Sequence, residues 1–442
     1  MSIRLSDHFT YKKLLRFTLP SVVMMVFTSL YGVVDGLFVT NFAGKSALAA
    51  VNFVFPVLMI LSTFGYLWGA GGSALVAKTR GQGDEKRANA LFSLFVYVSL
   101  LLGVALSVIG FFFLDELMVL LKAEGEMLRG AVLYGRILLV SMPLWNLQFL
   151  FQIFFVTAEK PKLGLYVTLL AGGANMLLDW LFVGVFGWRL TGAAVATAIS
   201  QAIGGGLPLL YFAFKNSSAL RLGRPIFDIR ALFKAASNGS SELVAGVSGS
   251  LVGILYNAQL MDEAGENGVA AYGIMMYVSM VFIGIFFGYA NGVAPVTGYH
   301  YGAENHKELK NLLKKSLVLT VFSSFLMFGL SEALALPLSK VFAGYDQTLY
   351  RMTLEGFWIY ATSFLFSGVA IYGSSFFTSL NNGLVSAVLS FLRTVVFQVV
   401  CVLVFPLFWG IDGIWISLAV AEALAVAVTV CFLVALRKKY KY

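Results

Sequence analysis

Long apolar runs, separated by short polar clusters, constrain this chain more than any other feature. Each run is long enough for the about 20 apolar residues that a helix needs to cross a bilayer. We count twelve runs, at residues 14–39, 47–76, 89–114, 128–157, 161–186, 191–214, 232–261, 268–297, 310–333, 350–379, 383–408 and 412–436. Alternation of period two, which an outer-membrane barrel requires, is absent. The sequence therefore predicts an all-α polytopic membrane protein with twelve transmembrane helices.

The basic residues orient these helices. Of the 31 Lys and Arg residues, 23 lie in the N-terminal segment, the even-numbered loops, the central linker and the C-terminal segment. Because basic loops stay on the cytoplasmic side, we predict a multi-pass protein of the cytoplasmic membrane with both termini in the cytoplasm. This topology explains the net charge of +9, so no nucleic-acid partner is expected.

The second half of the sequence repeats the first at an offset of 221 residues. Ala49, Gly71, Gly81, Lys86 and Trp188 are matched by Ala270, Gly292, Gly302, Lys307 and Trp409. Six helices in each half give both halves one orientation, related by a pseudo-twofold axis along the membrane normal. We predict an N-lobe over 1–215, a cytoplasmic linker over 216–231 and a C-lobe over 232–442. Two lobes facing each other across a cavity suit alternating access.

A few polar residues lie deep in the predicted helices of the first half. A carboxylate at mid-membrane costs roughly 2.5–3.5 kcal/mol on insertion scales, so Asp35 in the first helix and Asp179 in the fifth require a reason. Asn175 lies four residues before Asp179 and shares its helix face. Thr197 in the sixth helix either joins them or bonds back to its own helix. The equivalent residues of the second half are Tyr256, Val396, Val400 and Leu418, which indicates a specialised site in the N-lobe.

Two chemistries suit this set of side chains. Ionised carboxylates, with an amide and a hydroxyl, offer hard oxygen ligands to a small cation such as Na+. Two neighbouring carboxyl groups can instead share one proton. The residues leave both Na+ and H+ open as the coupling ion, and no other cofactor is expected.

Other polar or flexible side chains are candidates for a substrate cavity between the lobes. They are Asn146, Gln148 and Gln152 in the fourth helix, and Glu242, Asn257 and Met276 in the C-lobe. For Met276, ordinary helix packing is the alternative, and for Glu242 it is a helix end reached by water. Arg393, inside the eleventh helix, is predicted to pair with a carboxylate or to extend its charge to the membrane surface.

Three segments carry a resemblance to a known family. They are VDGLFVTNFAGKSALAAVN from Val34, TAEKPKLGLYVTLLAGGANMLLDWLFVGVFGWRLTGAAVATAIS from Thr157 and VAPVTGYHYGAEN from Val293. With these segments the chain resembles the multidrug and toxic compound extrusion (MATE) family, in its bacterial DinF-like and MepA-like branch. The resemblance implies a monomer of two lobes in a V, which exports cationic or amphipathic drugs in exchange for Na+ or H+.

The resemblance also implies roles for individual residues. Asp35, Asn175, Asp179 and Thr197 match the family's cation-coupling residues, and they would be the metal ligands if the ion is Na+. A family amide on the fourth helix corresponds to Asn146 or Gln148. The acidic pair that some members have in the C-lobe is incomplete here, since Glu242 supplies one carboxylate and the tenth helix lacks a convincing second. The expected partners are small drug molecules and membrane lipid.

Two other functions can be compared with drug export. A lipid or lipid-linked saccharide flippase of the same superfamily needs a more cationic cavity, because its cargo is a pyrophosphate, whereas the charges of this N-lobe are acidic. An enzyme is not expected, since the sequence has no HExxH motif, no Ser/His/Asp set and no nucleotide-binding loop. The missing nucleotide loop also argues against transport driven directly by ATP.

Overall fold

The computed structural model describes residues 3–39, 42 and 45–442, and most of them are helical. We number the helices in chain order: α1 Tyr11–Phe38, α2 Lys45–Gly81, α3 Glu85–Leu120, α4 Gly125–Thr157, α5 Pro161–Val185, α6 Arg189–Ala213, α7 229–264, α8 266–302, α9 His306–Ala343, α10 Gln347–Ala361 with Phe364–Ser379, α11 Gly383–Val404 and α12 411–440. Four residues of the first family-like segment, Thr40, Asn41, Ala43 and Gly44, lie outside the described residues.

The described residues confirm the prediction of twelve membrane-crossing helices. The two pieces of α10 are bent by 47° and together form one crossing. One continuous helical stretch, Ile229–Gly302, has 74 residues, about 110 Å at 1.5 Å per residue, against a hydrocarbon core of about 30 Å. It breaks at Gly265, whose φ of 61° and ψ of −152° suit only glycine. The stretch is therefore two crossings, α7 and α8.

Exposed apolar side chains mark the faces that lipid covers. Leu101 on α3 is 68% exposed, and its repeat equivalent on α9, Phe322, is 65% exposed. Such surfaces are unfavourable in water and ordinary in a bilayer. Helices α1–α6 and α7–α12 form two six-helix bundles, and the two halves turn equivalent apolar faces outward.

The two lobes approach each other closely at four glycines, which we call the glycine seam: Gly71, Gly81, Gly239 and Gly302. Gly81 lies against the carbonyl oxygen of Tyr299, and Gly302 lies against that of Lys78. The offset of 221 residues exchanges these two contacts, as a pseudo-twofold axis between the lobes requires. Gly71 lies against the carbonyl of Ala235 in the same way, and Gly239 against that of Leu67.

The glycine seam closes one end of the molecule. A Cβ at any of its four positions would overlap a backbone oxygen of the other lobe. The seam lies in the halves of α2, α7 and α8 that lead to the predicted basic loops and linker. The two lobes are therefore in backbone contact at the basic end.

Residues 3–10, which we call the N-terminal strap, bridge both lobes at the same end. The Leu5 N–H donates to Glu159 Oε1 in the N-lobe over 3.1 Å. The Phe9 N–H donates to Glu308 Oε1 in the C-lobe over 2.9 Å, and His8 Nδ1 lies 2.6 Å from the other oxygen of Glu308. Leu5 and Phe9 are fully buried. The strap thus ties the lobes together where the seam closes them.

Candidate cation site

The four polar residues predicted to act together in the N-lobe lie together, where α1, α5 and α6 meet. Thr197 Oγ1 on α6 donates to Asp35 Oδ1 on α1 over 3.5 Å. Asn175 Nδ2 on α5 donates to Thr197 Oγ1 over 3.4 Å. The carboxyl group of Asp179 lies next to that of Asp35. Three helices that are distant in sequence therefore place four polar groups at one point inside the membrane.

The oxygens of this cluster are available to a ligand. Asp179 is fully buried, and apart from the neighbouring Asp35 carboxyl group no polar group in the described part of the chain reaches its carboxylate oxygens. Asn175 is 1% exposed, and its Oδ1 also lacks a donor there. Buried acceptors without partners are costly. Hard oxygens of this kind fit a small cation, and the neighbouring carboxyl groups equally fit a shared proton.

The geometry of α5 changes at Asp179. The helix is α-helical from Pro161 to Asp179 and continues as a π-helical turn from Trp180 to Val185. Such turns interrupt the regular hydrogen-bond ladder and are frequent at functional sites. The change of helix type therefore coincides with the most deeply buried carboxylate of the cluster.

Two tyrosines complete the surroundings of the cluster, and the sequence analysis missed both. Tyr134 on α4 lies beside Thr197 and close to Asp35. Tyr31 on α1 lies near both Asp35 and Gln148. Tyr31 could have been found, because it precedes Asp35 by four residues and so shares its helix face. Tyr134 gave no signal, since a single tyrosine in an apolar helix is usually a packing residue.

The substrate-cavity candidates occupy different environments. In the N-lobe, Asn146, Gln148 and Gln152 are all buried, at 1%, 3% and 5% exposure. Gln148 packs on Gly204 of α6, and Asn146 is close to Gly103 of α3. The role of all three in a cavity stays a prediction.

The C-lobe candidates are less buried as a group. Asn257 is exposed, and Met276 is partly buried with its sulfur 3.9 Å from the Tyr360 hydroxyl. Glu242 borders a small polar cavity that Asn291 and Arg393 also line. Substrate contact by any of these side chains stays a prediction.

Arg393 pairs with a carboxylate, as one of the two expectations for it required. Its Nε lies 3.0 and 2.9 Å from the two oxygens of Glu422 on α12. The side chains of Arg393 and Glu422 are 11% and 2% exposed. The pair neutralises the arginine inside the C-lobe. Glu242, which borders the same cavity as Arg393, forms no salt bridge in the described part of the chain.

We expect Glu422→Gln to destabilise the C-lobe, because it leaves Arg393 charged and buried without its partner. Breaking a buried ion pair costs about 3–5 kcal/mol, so the melting temperature in detergent should fall clearly. Replacing both residues, as Arg393→Met with Glu422→Leu, should restore most of the loss. Glu266→Gln, at an exposed carboxylate, is the control and should change nothing. A double variant as unstable as Glu422→Gln alone would show that the unpaired charge is not the cause.

Comparison with known proteins identifies the family. The sequence model of the MatE family matches residues 20–181 and 243–404, one copy in each half. The multidrug export protein MepA of Staphylococcus haemolyticus (strain JCSC1435) is 25% identical over 441 residues, which cover 97% of this chain and 94% of that protein.

Solved structures agree on the fold. An outward-facing multidrug resistance MATE family transporter of the MOP superfamily superposes with a TM-score of 0.93 at 22% identity, over 98% of this chain and 97% of that one. A MOP superfamily transporter from Pyrococcus furiosus, described as having a binding pocket of reverse polarity, superposes with a TM-score of 0.91 at 22% identity, over 98% of both chains. With both halves matched by the family model, this chain belongs to the MatE family of membrane transporters.

Proposed function

We propose that this protein is a secondary active multidrug exporter of the cytoplasmic membrane, which exchanges cationic or amphipathic drugs for Na+ or H+. The observation that carries the proposal is the cluster of Asp35, Asn175, Asp179 and Thr197, with its buried and unpartnered oxygens. The similarity to MepA, a multidrug export protein, supports the same function. Each lobe has its own six-helix bundle, so a monomer suffices for alternating access.

The balance of charge inside the membrane favours a cationic cargo. Two arginines that lie well inside helices are neutralised, Arg393 by Glu422 and Arg136 by Asp115, whose oxygen lies 3.1 Å from it. Asp35, Asp179 and Glu242 form no salt bridge within the described residues. Their carboxylates therefore make the uncompensated charge negative, which attracts organic cations and small inorganic cations alike.

Alternating access follows from the glycine seam. Since basic loops stay in the cytoplasm, the closed basic end is the cytoplasmic end of the proposed exporter. In the proposed cycle, a cation from outside binds the N-lobe cluster. Cation and drug then compete for the same negative charge, so binding of the cation promotes release of the drug. Opening toward the cytoplasm requires the seam and the N-terminal strap to separate.

Transport by purified protein in proteoliposomes tests the proposal. We expect an ethidium-like cation to move against its gradient when a Na+ gradient or a pH gradient is imposed, and the two gradients are applied separately to identify the coupling ion. Liposomes without protein give the background. Absence of transport under both gradients would overturn the exporter assignment.

The flippase alternative makes a different prediction in the same vesicles. A lipid-linked saccharide carries a pyrophosphate, which the acidic cluster repels. We expect no translocation of a fluorescent lipid-linked pyrophosphate analogue by this protein. Translocation of that analogue, without movement of the organic cation, would favour the flippase.

A further inference from the structure

A cationic cleft lies at the basic end, away from the N-lobe cluster. A depression of about 650 Å³ opens between the N-terminal strap and the start of α1. A second one, of about 220 Å³, adjoins it at the turn between α4 and α5. The two share Ile3 and Arg16, so they form one continuous cleft. Its cationic lining comes from three separate parts of the chain: Arg4, Lys12, Lys13, Arg16, Lys160 and Lys162.

The carboxylates of the cleft leave most of this charge uncompensated. Asp7 is held by Lys13, whose Nζ lies 2.8 Å away. Partial burial raises the pKa of Asp7, but hydrogen bonds from Lys13 and the Arg4 backbone outweigh it and keep that pKa below its ordinary value, so Asp7 is ionised. Glu159 is occupied by Arg80, 3.2 Å away, and by the Leu5 N–H. The other five cations of the cleft form no salt bridge in the part of the chain that the structure describes.

Exposed apolar side chains lie next to the cleft on α1. Leu15 precedes Arg16 by one residue and Leu19 follows it by three, and they are 47% and 58% exposed. Phe17, only 2% exposed, closes the inner wall. Cations beside exposed leucines match a lipid molecule, whose charged headgroup adjoins apolar acyl chains. A small anion from solution would bind the cations and would make no favourable contact with the leucines.

We propose that the cleft binds the headgroup of an anionic phospholipid, with the phosphate against Arg16 and Lys162 and the acyl chains along Leu15 and Leu19. Arginine and lysine are the usual partners of phosphate oxygens. The strap forms one wall of the cleft, so a bound lipid holds the strap in place across the closed end. The site is separate from the exporter's cation cluster and does not depend on it.

Lipid binding by the full-length protein, purified in detergent, tests the site. Phosphatidylglycerol is titrated and followed by native mass spectrometry and by the melting temperature, with phosphatidylcholine and inorganic phosphate as parallel ligands. We expect phosphatidylglycerol alone to bind and stabilise. The double variant Arg16→Gln with Lys162→Gln should weaken its affinity by roughly tenfold or more, since each basic residue near the surface contributes to anionic lipid binding.

A matched control separates the cleft from general surface charge. Lys310→Gln with Lys314→Gln removes two exposed cations of α9 at the same end, and it should leave phosphatidylglycerol binding unchanged. Equal weakening by both double variants would overturn the proposal, as would equal stabilisation by phosphatidylcholine or by inorganic phosphate. If the double cleft variant does not fold, the single variant Lys162→Gln, at an exposed position in the first turn of α5, carries the same test. Arg16→Lys, which keeps the charge, should retain binding.

Discussion

Replacing Asp179 with asparagine is expected to lower gradient-driven drug efflux by at least about tenfold, the change that about 1.4 kcal/mol of lost cation binding produces. The substitution keeps the shape of the side chain and removes its charge. Asp179 is fully buried, and its oxygens have no donor among the described residues, so we propose that the coupling cation is the partner of this carboxylate. Asp35→Asn should act in the same direction, because its carboxyl group is the neighbour of Asp179.

Efflux rates in proteoliposomes measure this effect, with melting temperature as a check on folding. Asp262→Asn is the matched control, since Asp262 is an exposed carboxylate near the turn between α7 and α8, and it should transport at the normal rate. A second readout is the tryptophan fluorescence, because Trp180 follows Asp179 directly. Cation titration should change the fluorescence of the unmodified protein and leave that of the Asp179→Asn variant constant. Normal coupled transport by both aspartate variants would refute the site.

The second large effect is expected from Gly239→Ala in the glycine seam. The added Cβ would overlap the carbonyl oxygen of Leu67, and a backbone atom cannot be moved aside by a change of rotamer. Overpacking of this kind costs about 1–3 kcal/mol, which changes the ratio of two conformations by roughly 5–150-fold. The conformation that is closed at the basic end therefore becomes less populated. Transport slows, because the transport cycle must pass through that conformation.

Spin labels measure the closure directly. Cysteines at Lys86 and Lys307, equivalent and exposed positions in the two lobes, report the distance across the basic end once Cys401 and Cys431 are replaced by serine. The Gly239→Ala variant should show a longer distance than the parent. Gly253→Ala on the same helix α7 is the control, because a Cβ there meets nothing within 4 Å. An unchanged distance in the Gly239 variant would show that the seam does not control closure.

The sequence was sufficient for the helices and for identifying four residues that the structure brings together; their role in cation coupling stays a prediction. Membrane helices are easily recognised, because the bilayer requires about 20 apolar residues in each. The same rule makes Asp35 and Asp179 conspicuous, and the spacing of four residues placed Asn175 beside Asp179. Loss of these residues from the second half indicated one specialised lobe. Their meeting in space was inferred from the family resemblance, and the contacts through Thr197 bear it out.

Features that depend on contacts between distant segments were not predictable. The helix breaks at Gly265 because of its backbone angles, and nothing in the sequence distinguishes this glycine from the other glycines among the 44. The π-helical turn after Asp179 has no sequence signature. The partner of Arg393 is 29 residues away, and the choice of Glu422 depends on how α11 and α12 pack. The position of the N-terminal strap could not be predicted, because the residues that it contacts, Glu159 and Glu308, lie far along the chain.

The N-terminal strap also fixes an order of events during biosynthesis. The strap leaves the ribosome long before its partner in the C-lobe, because Phe9 and His8 find their acceptor only when Glu308 has been made. Leu5 and Phe9, buried in the folded protein, therefore reach their final positions only after the 299 residues that separate Phe9 from Glu308 have been translated. Docking of the strap is consequently a late step of assembly. It can occur only after both lobes have been inserted in the membrane and have packed against each other.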